Sequence, residues 1–342
     1  MKIPTQITLM IALLIAFTAC QVGANVSGNL LTSRRAFGNI TTVDLSSVSG
    51  NATVTAAQTD SITVEIEYTY PAECYEIDYS IRSGKLNIDE DFQWNNCQGR
   101  SEWDLNVPTA TGIEFSSASG SLVVYGGQGD VDVNTASGGL QMEDREGSFD
   151  IQTASGRIRI TGSSGNFEIQ SASGRITVED GSGQADISAA SGDIRISNSS
   201  GDFEAHAASG DIDVDTFSGQ AEFSTASGDV RAAGLNLTSA ASFSAASGDV
   251  SVELAASPTS DLSISSASGN STLNYGGNDL QGYFEFTARK DYGRIIAPYP
   301  FDSEDEFTRN GYTYMRKSFT RGKDQPRVTI STSSGTAELT LK

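Results

Sequence analysis

A glycine corner, most often Ser-Gly, returns at every ninth residue between Gly120 and Gly228. Its fuller form, Ala-Ser-Gly followed by apolar-x-apolar, returns at every eighteenth, at Gly120, Gly138, Gly156, Gly174, Gly192, Gly210 and Gly228. The weaker corners fall midway, at Gly129, Gly147, Gly165, Gly183, Gly201 and Gly219. A fixed period over so long a stretch defines a stack of equivalent units.

The second and fourth residues after each glycine are apolar throughout, as in Phe149/Ile151, Ile158/Ile160 and Phe203/Ala205, while the intervening positions are mostly polar. Such alternation marks a half-buried strand. The glycine is expected to supply a positive φ at the corner, and the alanine two residues before it to pack inside the bend. Two nine-residue units then make one coil, and coils stack as parallel strands about 4.8 Å apart. One coil cannot bury its own inner face, so several must stack. A triangular hexapeptide helix needs an apolar position every six residues, and the calcium-binding nonapeptide roll needs Gly-Gly-x-Gly-x-Asp; neither pattern is present. The fold class is therefore all-β: a two-sided, single-stranded parallel β-helix of about eighteen residues per coil. General preference makes it right-handed.

Outside the strict repeat, the chain divides as follows. Residues 1–19 read as a targeting segment, with Lys2 ahead of the apolar run Ile7 to Ala19. Phe17-Thr18-Ala19-Cys20 resembles a bacterial lipoprotein signal, which implies cleavage before Cys20 and lipidation of that residue; an ordinary secretory signal or an anchor helix are the alternatives. Residues 20–38 read as a polar tether, and residues 39–111 as irregular first coils that cap the stack. Val48-Ser49-Gly50-Asn51-Ala52-Thr53-Val54 is a degenerate copy of the repeat. Lipidation of Cys20 leaves Cys74 and Cys97, an even pair that reads as a disulfide in an exported protein. The regular solenoid spans 112–274. Residues 275–325 break the period and read as a loop or hairpin, rich in aromatics (Tyr275, Tyr283, Phe284, Phe286, Tyr292, Tyr299, Phe301, Phe307, Tyr312, Tyr314, Phe319) and in bases (Lys290, Arg294, Arg309, Arg316, Lys317, Arg321, Lys323). Residues 326–342 restore a closing coil.

The Ser-Ala-Ser-Gly-apolar repeats, the closing Ser333-Ser334-Gly335-Thr336-Ala337-Glu338-Leu339 segment and Leu105-Asn106-Val107-Pro108 before the first regular coil resemble the putative-adhesin family of bacterial β-solenoid domains, itself similar to autotransporter adhesin heads. That resemblance, over about residues 39–342, implies a parallel β-helix on the cell envelope. It supplies no catalytic residue.

The formal net charge is −21, which disfavours a nucleic-acid partner. One position repeats an acid at every coil: Asp132, Asp150, Glu168, Asp186, Glu204 and Glu222. Stacked like charges oppose folding, so this ladder is a candidate face for divalent cations, weakly bound Ca²⁺ among them, or for a basic partner. The plainer reading is an acidic surface that keeps sheets from associating. The opposite face is mixed, with Gln141, Arg159, Thr177, Arg195, Asp213 and Arg231 in register. The pairs Asp130/Asp132 and Asp211/Asp213 could serve as paired carboxylates, but short corners leave no loops to wall a cleft. The lone His206 falls on a polar outer column, without a partner for triad or zinc chemistry. The corner serines Ser119, Ser137, Ser155, Ser173, Ser191, Ser209 and Ser227 are expected to bond to each other or to the corner backbone. The expectation is a non-enzymatic, lipid-anchored module of the outer membrane that binds an envelope protein or glycan, with no cofactor. A spacer without a ligand and a polysaccharide-acting enzyme are the alternatives.

Overall fold

The computed structural model describes residues 30–94 and 96–342. The targeting segment and lipidated Cys20 lie outside them. Among the described residues, no helix is long and apolar enough to cross a membrane. The N-terminal part contains β1 (Leu31–Gly38), β2 (Thr42–Ser47), β3 (Asn51–Ala57), β4 (Ser61–Tyr68), β5 (Tyr75–Arg82), β6 (Lys85–Phe92), β7 (Ser101–Pro108), β8 (Gly112–Ser117) and β9 (Leu122–Tyr125). The regular stack runs through β10 (Val131–Thr135), β11 (Leu140–Glu143), β12 (Glu146–Thr153), β13 (Ile158–Thr161), β14 (Ser164–Ser171), β15 (Ile176–Glu179) and β16 (Ser182–Ala189). It continues through β17 (Ile194–Ala207), β18 (Ile212–Ser227), β19 (Val230–Leu237), β20 (Ala241–Ser247), β21 (Val250–Leu254), β22 (Leu262–Ser268) and β23 (Ser271–Asn274). The C-terminal part is β24 (Gly282–Arg289), β25 (Gly293–Ile296), β26 (Ser303–Arg309), β27 (Tyr312–Arg321) and β28 (Arg327–Thr340).

Strands one coil apart pair in parallel with the register the period predicts: Val131 with Phe149, Phe149 with Phe167, Ile158 with Ile176. Both apolar positions of every unit point inward and form one continuous core. Large and small side chains complement each other within it. Phe149 and Phe167 pack with ring centres 5.1 Å apart, and Ala185, Ala205 and Ala221 leave the volume that Phe203, Phe217 and Phe223 fill, as close packing requires.

The corners differ from expectation in two ways. The glycines of the Ala-Ser-Gly corners from Gly120 to Gly210 have no positive φ; that conformation belongs to the midway glycines, such as Gly129 at 124° and Gly165 at 134°. What excludes a side chain at the strong corners is stacking. A Cβ on Gly138, Gly156 or Gly174 would lie 1.7 Å from the carbonyl oxygen of the glycine one coil earlier. Nor do the corner alanines pack inside: Ala136, Ala154 and Ala190 are exposed. The inward residue is the one before, Thr135, Thr153 or Ser171, whose hydroxyl accepts the N–H of Gly138, Gly156 or Gly174 at 2.8–2.9 Å. The bend is closed by that bond, which leaves the alanine facing solvent.

Both ends of the stack are wound out of sequence order. β2 and β3 form a coil that lies between the later coil β6/β7 and the regular coil β8/β9. β28 likewise lies between β22/β23 and the earlier coil β24/β25. Residues 326–342 are thus the penultimate coil in space, and the segment 275–325 supplies the outermost one as well as the β26–β27 hairpin. Antiparallel β5, and β4 with β1, complete the N-terminal end. Residues 31–38 are therefore strand, not tether. The Cys74–Cys97 disulfide is formed, with Cα atoms 5.7 Å apart, beside a cluster of Tyr68, Tyr70, Tyr75 and Phe92. Closing a loop of that size stabilises by about 3 kcal/mol.

Candidate functional site

The acidic ladder is real and longer than the period suggested. Asp132, Asp150, Glu168, Asp186, Glu204 and Glu222 are direct neighbours across β10, β12, β14, β16, β17 and β18. Glu114 and Asp44 extend it through β8 and β2. Both sit in the same apolar-acid-apolar frame, Ile113-Glu114-Phe115 and Val43-Asp44-Leu45, but ahead of the first strict corner. At that end Lys85 Nζ bridges Asp44 at 2.7 Å and Glu114 at 2.6 Å. Beyond Glu222 the same column continues as Ser242, Ser263, Thr329 and Glu285.

Between those limits, and among the described residues, Asp132, Asp150, Glu168, Asp186 and Glu222 have no Lys or Arg partner. Gln152 and Gln170 donate to Asp150 and Glu168 at 3.2 and 3.3 Å. His206 is not a bystander: half-buried, its Nε2 lies 2.7 Å from Glu204 and its Nδ1 2.6 Å from the Ser224 hydroxyl. Partial burial, then the neighbouring carboxylates of Asp150, Glu114 and Asp44, raise the pKa of Asp132, with Lys85 opposing. Burial and Glu204 raise that of Asp186. The carboxylates form a line rather than a cage; among the described residues no three His, Cys, Asp or Glu side chains converge to hold a metal ion.

The paired carboxylates are otherwise engaged. The Asp229 N–H, then Arg231, hold the Asp211 carboxyl below its usual range. Arg231 lies 3.1 Å from Asp211 and 3.6 Å from Asp213, and it also contacts Asp229. Asp130 accepts the Ser148 N–H at 3.1 Å. These bonds reveal a second acidic column that counting missed. Asp211, Asp229 and Asp249 each accept the backbone N–H of the residue one coil later, at 2.7–2.8 Å, and Asp193 accepts that of Asp211 at 3.4 Å. The repeated Ser-Gly-Asp triplet was its signal. The exposed corner serines, by contrast, make no side-chain bond to one another among the described residues.

The aromatic segment divides. Tyr275, Phe284, Phe286 and Phe319 are fully buried and seal the last coil. Tyr292 and Tyr312 are exposed and flank Arg289, whose guanidinium lies 4.2 and 3.7 Å from their ring centres. Three of its bases are paired locally: Lys290 with Glu306, Arg316 with Asp305 and Lys317 with Glu304. The acids and bases of the segment balance in number, so it is aromatic without being basic overall.

The profile of the Toastrack DUF4097 family matches residues 21–292, and the chain belongs to that family. Among solved structures, a putative lipid binding protein from Parabacteroides distasonis is 13% identical, with 92% of this chain and 98% of that one covered and a TM-score of 0.39. A putative adhesin from the same organism is 16% identical over 75% and 93% of the two chains, with a TM-score of 0.35. A putative adhesin from Bacteroides fragilis is 13% identical over 71% and 95%, with a TM-score of 0.33. No curated protein matches the sequence.

Proposed function

We propose that this chain is a non-enzymatic binding module of the cell envelope, held there by a lipid on Cys20, and that its ladder face takes up a cationic partner. The observation that carries the reading is Lys85. One ammonium group seated between two stacked carboxylates satisfies both, and the six carboxylates that follow repeat the geometry with no Lys or Arg ion pair among the described residues. A partner presenting Lys or Arg along its length would occupy the same seats. Adjacent charges at strand spacing repel by about 1 kcal/mol even with water-like screening, so neutralisation favours the complex.

The enzymatic alternative finds little support where Asp211 and Asp213 share Arg231 and Asp130 holds a backbone N–H. Against a bare spacer stands the run from Asp132 to Glu222, which no Lys or Arg among the described residues ion-pairs. Binding of an oligolysine peptide provides the test. Affinity should fall steeply as salt rises and should be lost in an Asp150→Asn, Glu168→Gln, Asp186→Asn triple variant. A triple variant that binds as tightly as the parent overturns the reading. Fractionation of the same cells should place the parent, and not Cys20→Ser, in the membrane.

A further inference from the structure

The corner that follows each Ala-Ser-Gly carries a break in its hydrogen bonding. From Asp193 onward, the residue after the glycine accepts the N–H of its counterpart one coil later. At the N-terminal end Asn51 and Ser121 do the same for Ser121 and Gly139. Between these runs the position is held by Gly139, Arg157 and Arg175, none of which offers an acceptor. The backbone N–H groups of Arg157, Arg175 and Asp193 consequently find no acceptor among the described residues.

Those corners line a shallow groove of about 300 Å³, flanked by the exposed side chains of Ser155, Ser173 and Ser191 and by the guanidinium groups of Arg157 and Arg175. Arg157 has no ion-pair partner among the described residues; Arg175 contacts Asp193 at 3.1 Å. The Asp193 carboxylate closes the groove at one end and would repel an anion there. The end at Arg157 is open, because Gly139 projects no side chain toward the Arg157 N–H.

We propose that this groove binds an oxyanion, a carboxylate, phosphate or sulfate, at Arg157 and Arg175. The bound oxygen takes the place that the Asp carboxylate occupies on the next coils, accepting the stranded N–H groups while the guanidinium and serine hydroxyl groups complete its coordination. Charge-assisted hydrogen bonds of this kind are the strong ones. Stations repeating at the coil spacing suit anionic groups repeated along a glycan as well as a single free anion.

Amide-resolved NMR of the full chain at constant ionic strength tests this, with inorganic sulfate as one probe and a uronic-acid oligosaccharide as the other. The amides of Arg157 and Arg175 should shift saturably with both. Tighter binding of the oligosaccharide identifies a glycan ligand; equal affinity identifies a free anion. The double variant Arg157→Asp/Arg175→Asp supplies the missing internal carboxylates and copies a corner the fold already uses at Asp211, Asp229 and Asp249. It should stay folded and bind at least about tenfold more weakly. Arg294→Asp/Arg309→Asp makes the same change of charge on β25 and β26, outside the groove, and should leave affinity unchanged. The proposal fails if sulfate moves the groove amides no more than exposed amides elsewhere, or if the double variant binds like the parent.

Discussion

Arg145 is the largest side chain fully withdrawn from solvent among the described residues, at 1% exposure. It has no carboxylate in contact. Its guanidinium instead donates to three backbone carbonyls, of Gly129 and Gly126 at 3.0 Å and of Thr111 at 2.6 Å. Burial draws its pKa down to about 10, with Asp130 opposing, so it remains charged near neutrality. The column it heads explains its presence. Its register partners Gly127, Ser163 and Gly181 are small, and a Cβ on Gly127 would come within 3.0 Å of the Arg145 Nη1. Truncation would strand all three acceptors in a cavity. Arg145→Ala should therefore cost roughly 3–5 kcal/mol, read as a lowered denaturation midpoint, whereas Arg157→Ala on the exposed corner should change it by less than about 0.5 kcal/mol. Nothing in the sequence marks Arg145 as different from Arg157 or Arg159. All three are arginines near a repeat corner, and only the three-dimensional placement of the preceding irregular coil separates them.

At the level of the coil, most of the architecture was legible because one period governs both packing and register. Inward columns such as Phe149–Phe167–Ala185 and outward columns such as Asp150–Glu168–Asp186 follow from counting alone. The interior of the corner was not legible, since Thr135-Ala136-Ser137-Gly138 offers three small residues and the choice among them rests on a hydroxyl–amide bond. The segment after Tyr275 was read as an excursion because β24 and β25 precede their neighbour β28 in sequence while lying outside it in space. Periodicity cannot reveal a coil laid down before the one it covers. The regular coils themselves act as interchangeable units, each touching only its neighbours. Deleting residues 158–175, one full period, should leave a cooperatively folded protein with an unchanged circular-dichroism signature.

Over the whole molecule, charge and stability are linked. Asp132 and Asp186 bind protons more tightly when folded than when unfolded. Their contribution opposes folding near neutrality and is relieved as the pH falls through their raised values, fully so below the unfolded value of about 3.9. Asp211 and Asp305 behave in the opposite sense: their pKa values are lowered, and the stability they confer holds above about pH 3.9 and is lost below it. Calorimetry should accordingly find the melting temperature rising as the pH falls into the carboxylate range and falling again in stronger acid. Asp132→Asn/Asp186→Asn should flatten the rise and leave the acid limb in place.

The out-of-order winding at the two ends has a mechanical corollary. An ordinary spiral can be unwound from its free tip one turn at a time, exposing a single fresh edge at each step. Here the C-terminal strand β28 is clasped on both flanks, by β22 with β23 and by β24 with β25, and pulling it out must break two sets of ladder bonds together. The turn that does face outward is tied into the chain on both sides and has no tip to pull. Tension applied to the C-terminal strand therefore meets a clamp at its first step, a useful property for a protein that must stay wound under load.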